Sequence, residues 1–156
     1  MEDAGCKVIY GIENYKVHSK ICLITRREKG RIQLFTQIGT GNYNEKTAKL
    51  YTDFCLMTAN RTIGEDAVNF FKNVAISNLN GTYHDLLVAP GSMKGRLLEL
   101  IDGQIQRSRA GKDARIMMKV NSVTDRELID KLSEASCAGV RIDLIVRGIC
   151  CILPQI

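Results

Sequence analysis

Apolar, β-branched residues gather in two runs, 17–26 and 31–38, and Arg27-Glu28-Lys29-Gly30 between them reads as a hairpin turn. A loop rich in glycine and asparagine follows, Gly39-Thr40-Gly41-Asn42-Tyr43-Asn44. After it the pattern predicts a short helix over 45–50 and another strand over 52–58. The period then changes. Over 61–74 the residues Ile63, Ala67, Phe70, Phe71 and Val74 fall on one stripe of a helix. Near the start, Ala4-Gly5 reads as a helix stop with glycine in the left-handed position, ahead of a strand over 7–10.

Ser77-Asn78-Leu79-Asn80-Gly81 is polar, contains glycine and separates two periodic stretches, so it marks a boundary between 1–78 and 79–156. Beyond it the expected order is strand 86–89, turn Pro90-Gly91, helix 92–110, strand 115–120, helix 125–138 and strand 140–146. Ser92 is the expected N-cap of the first of these helices, with Leu97, Leu98, Ile101 and Ile105 as its buried face. Thr124 and Glu127 are spaced as a capping box for the second. Strands alternating with helices predict an α/β fold. A beginning at the end of a helix and a finish soon after a buried strand suggest part of a longer protein.

Composition narrows the classes. The 156 residues are 45% hydrophobic and 25% charged, enough to bury a core and too apolar for a disordered chain. No run approaches the roughly 18 apolar residues of a membrane helix, and the first residues lack the pattern of a secretory signal. A net charge of +5 suits a polyanionic partner. The six cysteines form no Cys-x-x-Cys pair, which argues against a zinc ribbon. Cys22 and Cys55 lie in apolar runs and are expected as buried thiols, in a reduced, cytoplasmic compartment.

The candidate chemistry starts at Val17-His18-Ser19-Lys20. Residues two apart in a strand share a face, so His18 and Lys20 are expected side by side. A lysine inside a sheet needs a partner for its charge, and a phosphate would serve. Lys20 would then neutralise phosphate oxygens while a neutral His18 attacks phosphorus, and the ammonium would keep the imidazole neutral. The Gly-Asn loop strengthens that reading, because its glycines let backbone N–H groups approach a phosphate while Asn42 and Asn44 add amide donors. Its plain alternative is a strand-to-helix turn whose conformation favours glycine and asparagine. His84 has no supporting motif and reads as structural.

His-x-Lys followed, one hairpin later, by Gly-Thr-Gly-Asn-x-Asn resembles the half-motif of the phospholipase D-like superfamily, although Thr25 stands where that motif has aspartate. The longer run from Tyr15 to Asn60, "YKVHSKICLITRREKGRIQLFTQIGTGNYNEKTAKLYTDFCLMTAN", is similar to bacterial polyphosphate kinases of the long-chain-synthesising type. So are "LLVAPGSMKGRLLELID" and "DLIVRGICCILP". The resemblance implies a phospholipase D-like mixed sheet with flanking helices, in two incomplete lobes with exposed strand edges and apolar surface. It implies reversible transfer of the terminal phosphoryl group of ATP to polyphosphate through a phosphohistidine at His18.

By the same resemblance, Tyr51 matches a tyrosine contacting nucleotide and Arg147 an arginine contacting phosphates. Lys20, Asn42 and Asn44 match motif positions. Magnesium is the implied cofactor, with ligands outside this chain, as is a second His-x-Lys. ATP, ADP and inorganic polyphosphate are the implied partners, with a homo-oligomeric parent, no specific nucleic acid and room for peripheral attachment at the inner membrane face. Two rival readings remain at this point: a phospholipase D-like phosphodiesterase or phosphatidyltransferase, and a non-catalytic polyanion-binding piece. The isolated chain is expected to be inactive.

Overall fold

The computed structural model describes residues 1–153, which pack as two units, 1–91 and 92–153. In the first unit, β1 (Ile21–Glu28) and β2 (Arg31–Gly39) form an antiparallel hairpin, and β3 (Cys55–Thr58) pairs antiparallel with β2. Glu28 faces Arg31 across a two-residue turn, with Lys29 at φ 47° and Gly30 at φ 76°. Two successive positive φ angles give the turn the twist that hairpin strands need, and glycine adopts its share without strain. A short helix, α1 (Glu45–Ala48), follows the Gly-Asn loop, and α2 (Arg61–Ala75) packs on the sheet. Gly64 lies so close to Leu34 that a side chain there would strike it.

The second unit orders α3 (Met93–Arg109), β4 (Arg115–Val120), α4 (Arg126–Cys137) and β5 (Arg141–Val146). β4 and β5 pair in parallel, from Arg115 beside Arg141 to Val120 beside Val146. Ile101 and Ile105 of α3, Leu132 and Ala135 of α4, and Ile116 of β4 close over one another as the core, with Ala114 and Val140 at the strand entries. Along β4 the burial alternates, so Arg115, Met117 and Lys119 lie on the open side.

Several expectations need correction. The strand predicted over 17–26 begins at Ile21, so His18 and Lys20 precede it. The strand predicted from 52 starts at Cys55. No strand forms over 7–10 or 86–89. The reason is plain for the second segment: the N–H groups of His84, Asp85 and Leu86 donate to the Asp66 carboxylate, so those amides are not available to a ladder. On α2 the buried residues are Gly64, Asp66 and Ala67, while Phe71 is exposed. Ser92 sits at the start of α3 without a side-chain capping bond. Asp125, one residue past Thr124, caps α4 by accepting from the Leu128 N–H at 3.0 Å. Cys22 and Cys55 are exposed, because the sheet face that carries them is open. The Gly5 helix stop is present, with φ 76° after a 3-10 turn, Glu2–Ala4.

Residues 82–91 pack with the first unit although they follow the polar linker. Asp66 holds His84, Asp85 and Leu86, and Asn73 donates to the Tyr83 hydroxyl at 3.2 Å.

Candidate active site

The hairpin ladder does not stop at the Ile21–Ile38 pair, since the Gly39 N–H donates to the Lys20 carbonyl at 2.9 Å. Gly39 in turn faces Cys55. A row Lys20–Gly39–Cys55 therefore crosses this end of the sheet. His18 precedes it on one side and the loop 40–44 leaves it on the other, so both candidate motifs sit at the same rim.

Lys20 is 8% exposed, and its ammonium donates to the His18 carbonyl at 2.7 Å. Among the described residues no carboxylate pairs with it. His18 is exposed, and its pKa is lowered, first by the charge of Lys20, then by partial burial and by Lys16. A lowered pKa keeps the imidazole neutral, which is the form able to attack an electrophile.

The loop is fixed from below by Asp53. The Thr40 hydroxyl donates to the Asp53 carboxylate at 2.8 Å and accepts from the Phe54 N–H at 2.9 Å, while the Thr40 N–H donates to the Phe54 carbonyl at 3.0 Å. Gly41 is pressed against that carboxylate, leaving no room for a β-carbon. The carboxylate of Asp53 is thus the reason for glycine at 41. The sequence reading missed Asp53, because its partners lie 13 residues upstream and no local spacing announces them.

Asn44 has a role of its own. Its Oδ1 accepts from the N–H groups of Lys46 at 3.0 Å and Thr47 at 3.1 Å, capping α1. That leaves Nδ2 as the donor end of this amide. The Asn42 carbonyl accepts from the Asn44 N–H at 2.8 Å, which tightens the turn between them. The Tyr43 hydroxyl donates to the Gln37 side chain. Tyr51 follows α1 in the same unit and is exposed. Arg147 belongs to the second unit, where its N–H continues the β4–β5 ladder by donating to the Val120 carbonyl at 3.1 Å.

The family description "Polyphosphate kinase C-terminal domain 1" matches residues 1–79, and "Polyphosphate kinase C-terminal domain 2" matches residues 86–156. The chain belongs to the polyphosphate kinase family. Polyphosphate kinases of Staphylococcus saprophyticus and Exiguobacterium sibiricum are 47% and 50% identical to it over 156 residues. In each case the match covers 100% of this chain and 22% of the relative, so the chain spans about a fifth of their length. The crystal structure of polyphosphate kinase from Porphyromonas gingivalis superposes with a TM-score of 0.87 at 37% identity, covering 99% of this chain and 26% of that one. The fold is accordingly the mixed α/β, phospholipase D-like arrangement of a polyphosphate kinase.

Among the described residues no three His, Cys, Asp or Glu side chains gather to hold a metal ion, and no helix is long and apolar enough to cross a membrane.

Proposed function

We propose that the longer polyphosphate kinase to which this chain corresponds transfers the terminal phosphoryl group of ATP, reversibly, to inorganic polyphosphate by way of His18. A ring nitrogen of neutral His18 attacks the terminal phosphorus, the bond to the bridging oxygen breaks, and ADP leaves with that electron pair. The phosphoryl group then passes from nitrogen to a terminal oxygen of polyphosphate, which restores the imidazole. Lys20 offsets negative charge on the phosphoryl oxygens, and the loop 39–44 offers them amide donors. Tyr51 takes the nucleotide and Arg147 further phosphate oxygens. Magnesium is the expected cofactor and supplies charge screening of the nucleotide phosphates. The described residues do not gather a site for it, and no step here runs through it.

The observation that carries this reading is the buried Lys20 ammonium, bonded to the carbonyl of His18 and set in the same row as the first glycine of the loop. The test is incubation of the full-length parent enzyme with ATP labelled at its terminal phosphate. Acid-labile label is expected on His18 and absent in His18→Ala, and label on another residue overturns the reading.

A further inference from the structure

We propose that Gln37 is a positioning residue for phosphoryl transfer: its amide ties Tyr43 of the Gly-Asn loop to Cys55 of β3 and so sets the backbone donors at 41–43. The inference rests on the reading above for the reaction, and adds to it the side chains that hold the loop in place.

What the loop can offer a phosphate is bounded by bonds already made. The Thr40 N–H is taken by the Phe54 carbonyl at 3.0 Å, and the Asn44 N–H by the Asn42 carbonyl at 2.8 Å. The backbone donors that can turn to an anion therefore lie between them, at Gly41, Asn42 and Tyr43. That stretch is pinned at its start, where the Thr40 hydroxyl is bonded to Asp53 and to the Phe54 N–H. Its other end is Tyr43, whose ring is 65% exposed, so packing alone does not fix it. The Tyr43 hydroxyl instead donates to the Gln37 side-chain oxygen. The nitrogen of the same amide, Nε2, donates to Cys55 Sγ at 3.0 Å. Both ends of the Gln37 amide are thereby committed, and it cannot rotate without breaking one of these bonds.

The sheet provides the path for this chain of groups. Gln37 stands between Cys22 and Met57 across three strands, and Gly39 stands beside Cys55. Residues two apart on a strand share a face, so Gln37, Gly39 and Cys55 lie on one side of the sheet. A β-carbon at 39 would stand 3.0 Å from Gln37 Nε2. Glycine there leaves open the way by which the amide reaches Cys55, as glycine at 41 makes room for the Asp53 carboxylate. Ile24, Phe35 and Met57 line the hollow around the amide. Turning it would set a polar group against those apolar side chains without a partner, so the bonded orientation is the favoured one. Donors stabilise a developing charge best when their places are set before the reaction, and the Tyr43–Gln37–Cys55 chain sets them.

The experiment is single-turnover phosphorylation of the full-length parent enzyme by ATP labelled at its terminal phosphate. It compares wild type, Gln37→Leu, Tyr43→Phe and the double variant, with steady-state polyphosphate synthesis measured in parallel. Each single variant is expected to lower the labelling rate constant and kcat about tenfold, with KM for ATP within about twofold of wild type. The double variant should be no slower than the slower single one, because either change breaks the same chain. Gln33→Leu, the same substitution earlier on the same strand and face, should label at the wild-type rate. The final fraction of enzyme labelled should also match wild type. A substitution that only weakens folding lowers that fraction and spares the rate constant, and this result overturns the proposal. Variants that label and turn over like wild type overturn it too, as do losses that multiply in the double variant. With label on His18 throughout, those outcomes leave the His18 reading intact. Slowed variants with label on another residue overturn the His18 reading and leave the role of Gln37 standing.

Discussion

Asp66 offers the most quantitative test of how the first unit is built. Its carboxylate is 4% exposed and accepts three consecutive backbone N–H groups, from His84 at 2.9 Å, Asp85 at 2.6 Å and Leu86 at 2.9 Å. A hydrogen bond to a charged group contributes about 1.5–3 kcal/mol, but His84 and Asp85 are exposed, so water recovers part of the loss when the acceptor is removed. Asp66→Ala is therefore expected to cost about 3 kcal/mol. Asp66→Asn keeps one oxygen and turns an amide donor toward the remaining N–H groups, and should cost about 2 kcal/mol. Burial pushes the Asp66 pKa up, yet the backbone N–H groups of His84, Leu86 and Asp85, with the His84 charge, outweigh it and hold the carboxyl below its ordinary value. The sign follows from linkage. The unfolded chain takes up the proton first as pH falls, so the contribution is full above the ordinary carboxylate pKa and is lost through the folded value below it. Urea unfolding at pH 7 and at pH 3 measures both parts, with amide exchange at 84–86 as the local readout. A loss under about 1 kcal/mol at pH 7, or an Asp66→Ala deficit that does not shrink in acid, would refute the reasoning.

Three further outcomes follow from the rim of the sheet. Lys20→Met removes the largest cause of the low His18 pKa, so the His18 titration midpoint, read from its imidazole proton shift, should move to higher pH, and an unmoved midpoint counts against the pairing. Gly41→Ala forces a methyl group against Asp53 and should cost about 1–3 kcal/mol in urea unfolding, and less than that in an Asp53→Ala background, where the carboxylate is gone; an equal cost in both backgrounds counts against the latch. Asn44→Ala removes the cap of α1 and should cost about 1 kcal/mol, seen as faster exchange at the Lys46 and Thr47 amides; unchanged exchange would mean that the cap is idle.

The elements most legible in the sequence were those whose pattern is local. The hairpin announced itself through Lys29-Gly30, and α2 and α3 through their helical spacing, since short-range sterics and one buried face decide such segments. The misses share a cause. The run Leu86-Leu87-Val88-Ala89 looks like a strand, but its first amide is claimed by an aspartate 20 residues earlier. Thr124 and Asp125 are both good caps, and only the path of the chain chooses between them. The site was half legible. His18, Lys20 and the loop could be listed from spacing, and the hairpin between them already sets both at one end of neighbouring strands, whereas the latch under Gly41 depends on Asp53.

Lys20 brings energetics and function into conflict, and that conflict can be measured. Burying an ammonium costs several kcal/mol unless an opposite charge or full hydrogen bonding offsets it. Here the bond to the His18 carbonyl offsets part, and among the described residues no carboxylate offsets the rest. The empty site should therefore be less stable with lysine than with an uncharged side chain of similar length. An anion that binds only the folded chain reverses the order, adding about 2.7 kcal/mol at a hundredfold excess over its Kd. Lys20→Met should accordingly unfold at higher urea than wild type in phosphate-free buffer. In saturating tripolyphosphate it should lose most of the stability that the anion adds to wild type. The crossing of the two stability curves with ligand concentration is the signature. If Lys20→Met is destabilised without ligand, the ammonium is a structural group satisfied by its carbonyl, and the case for a phosphate at this rim loses its main support.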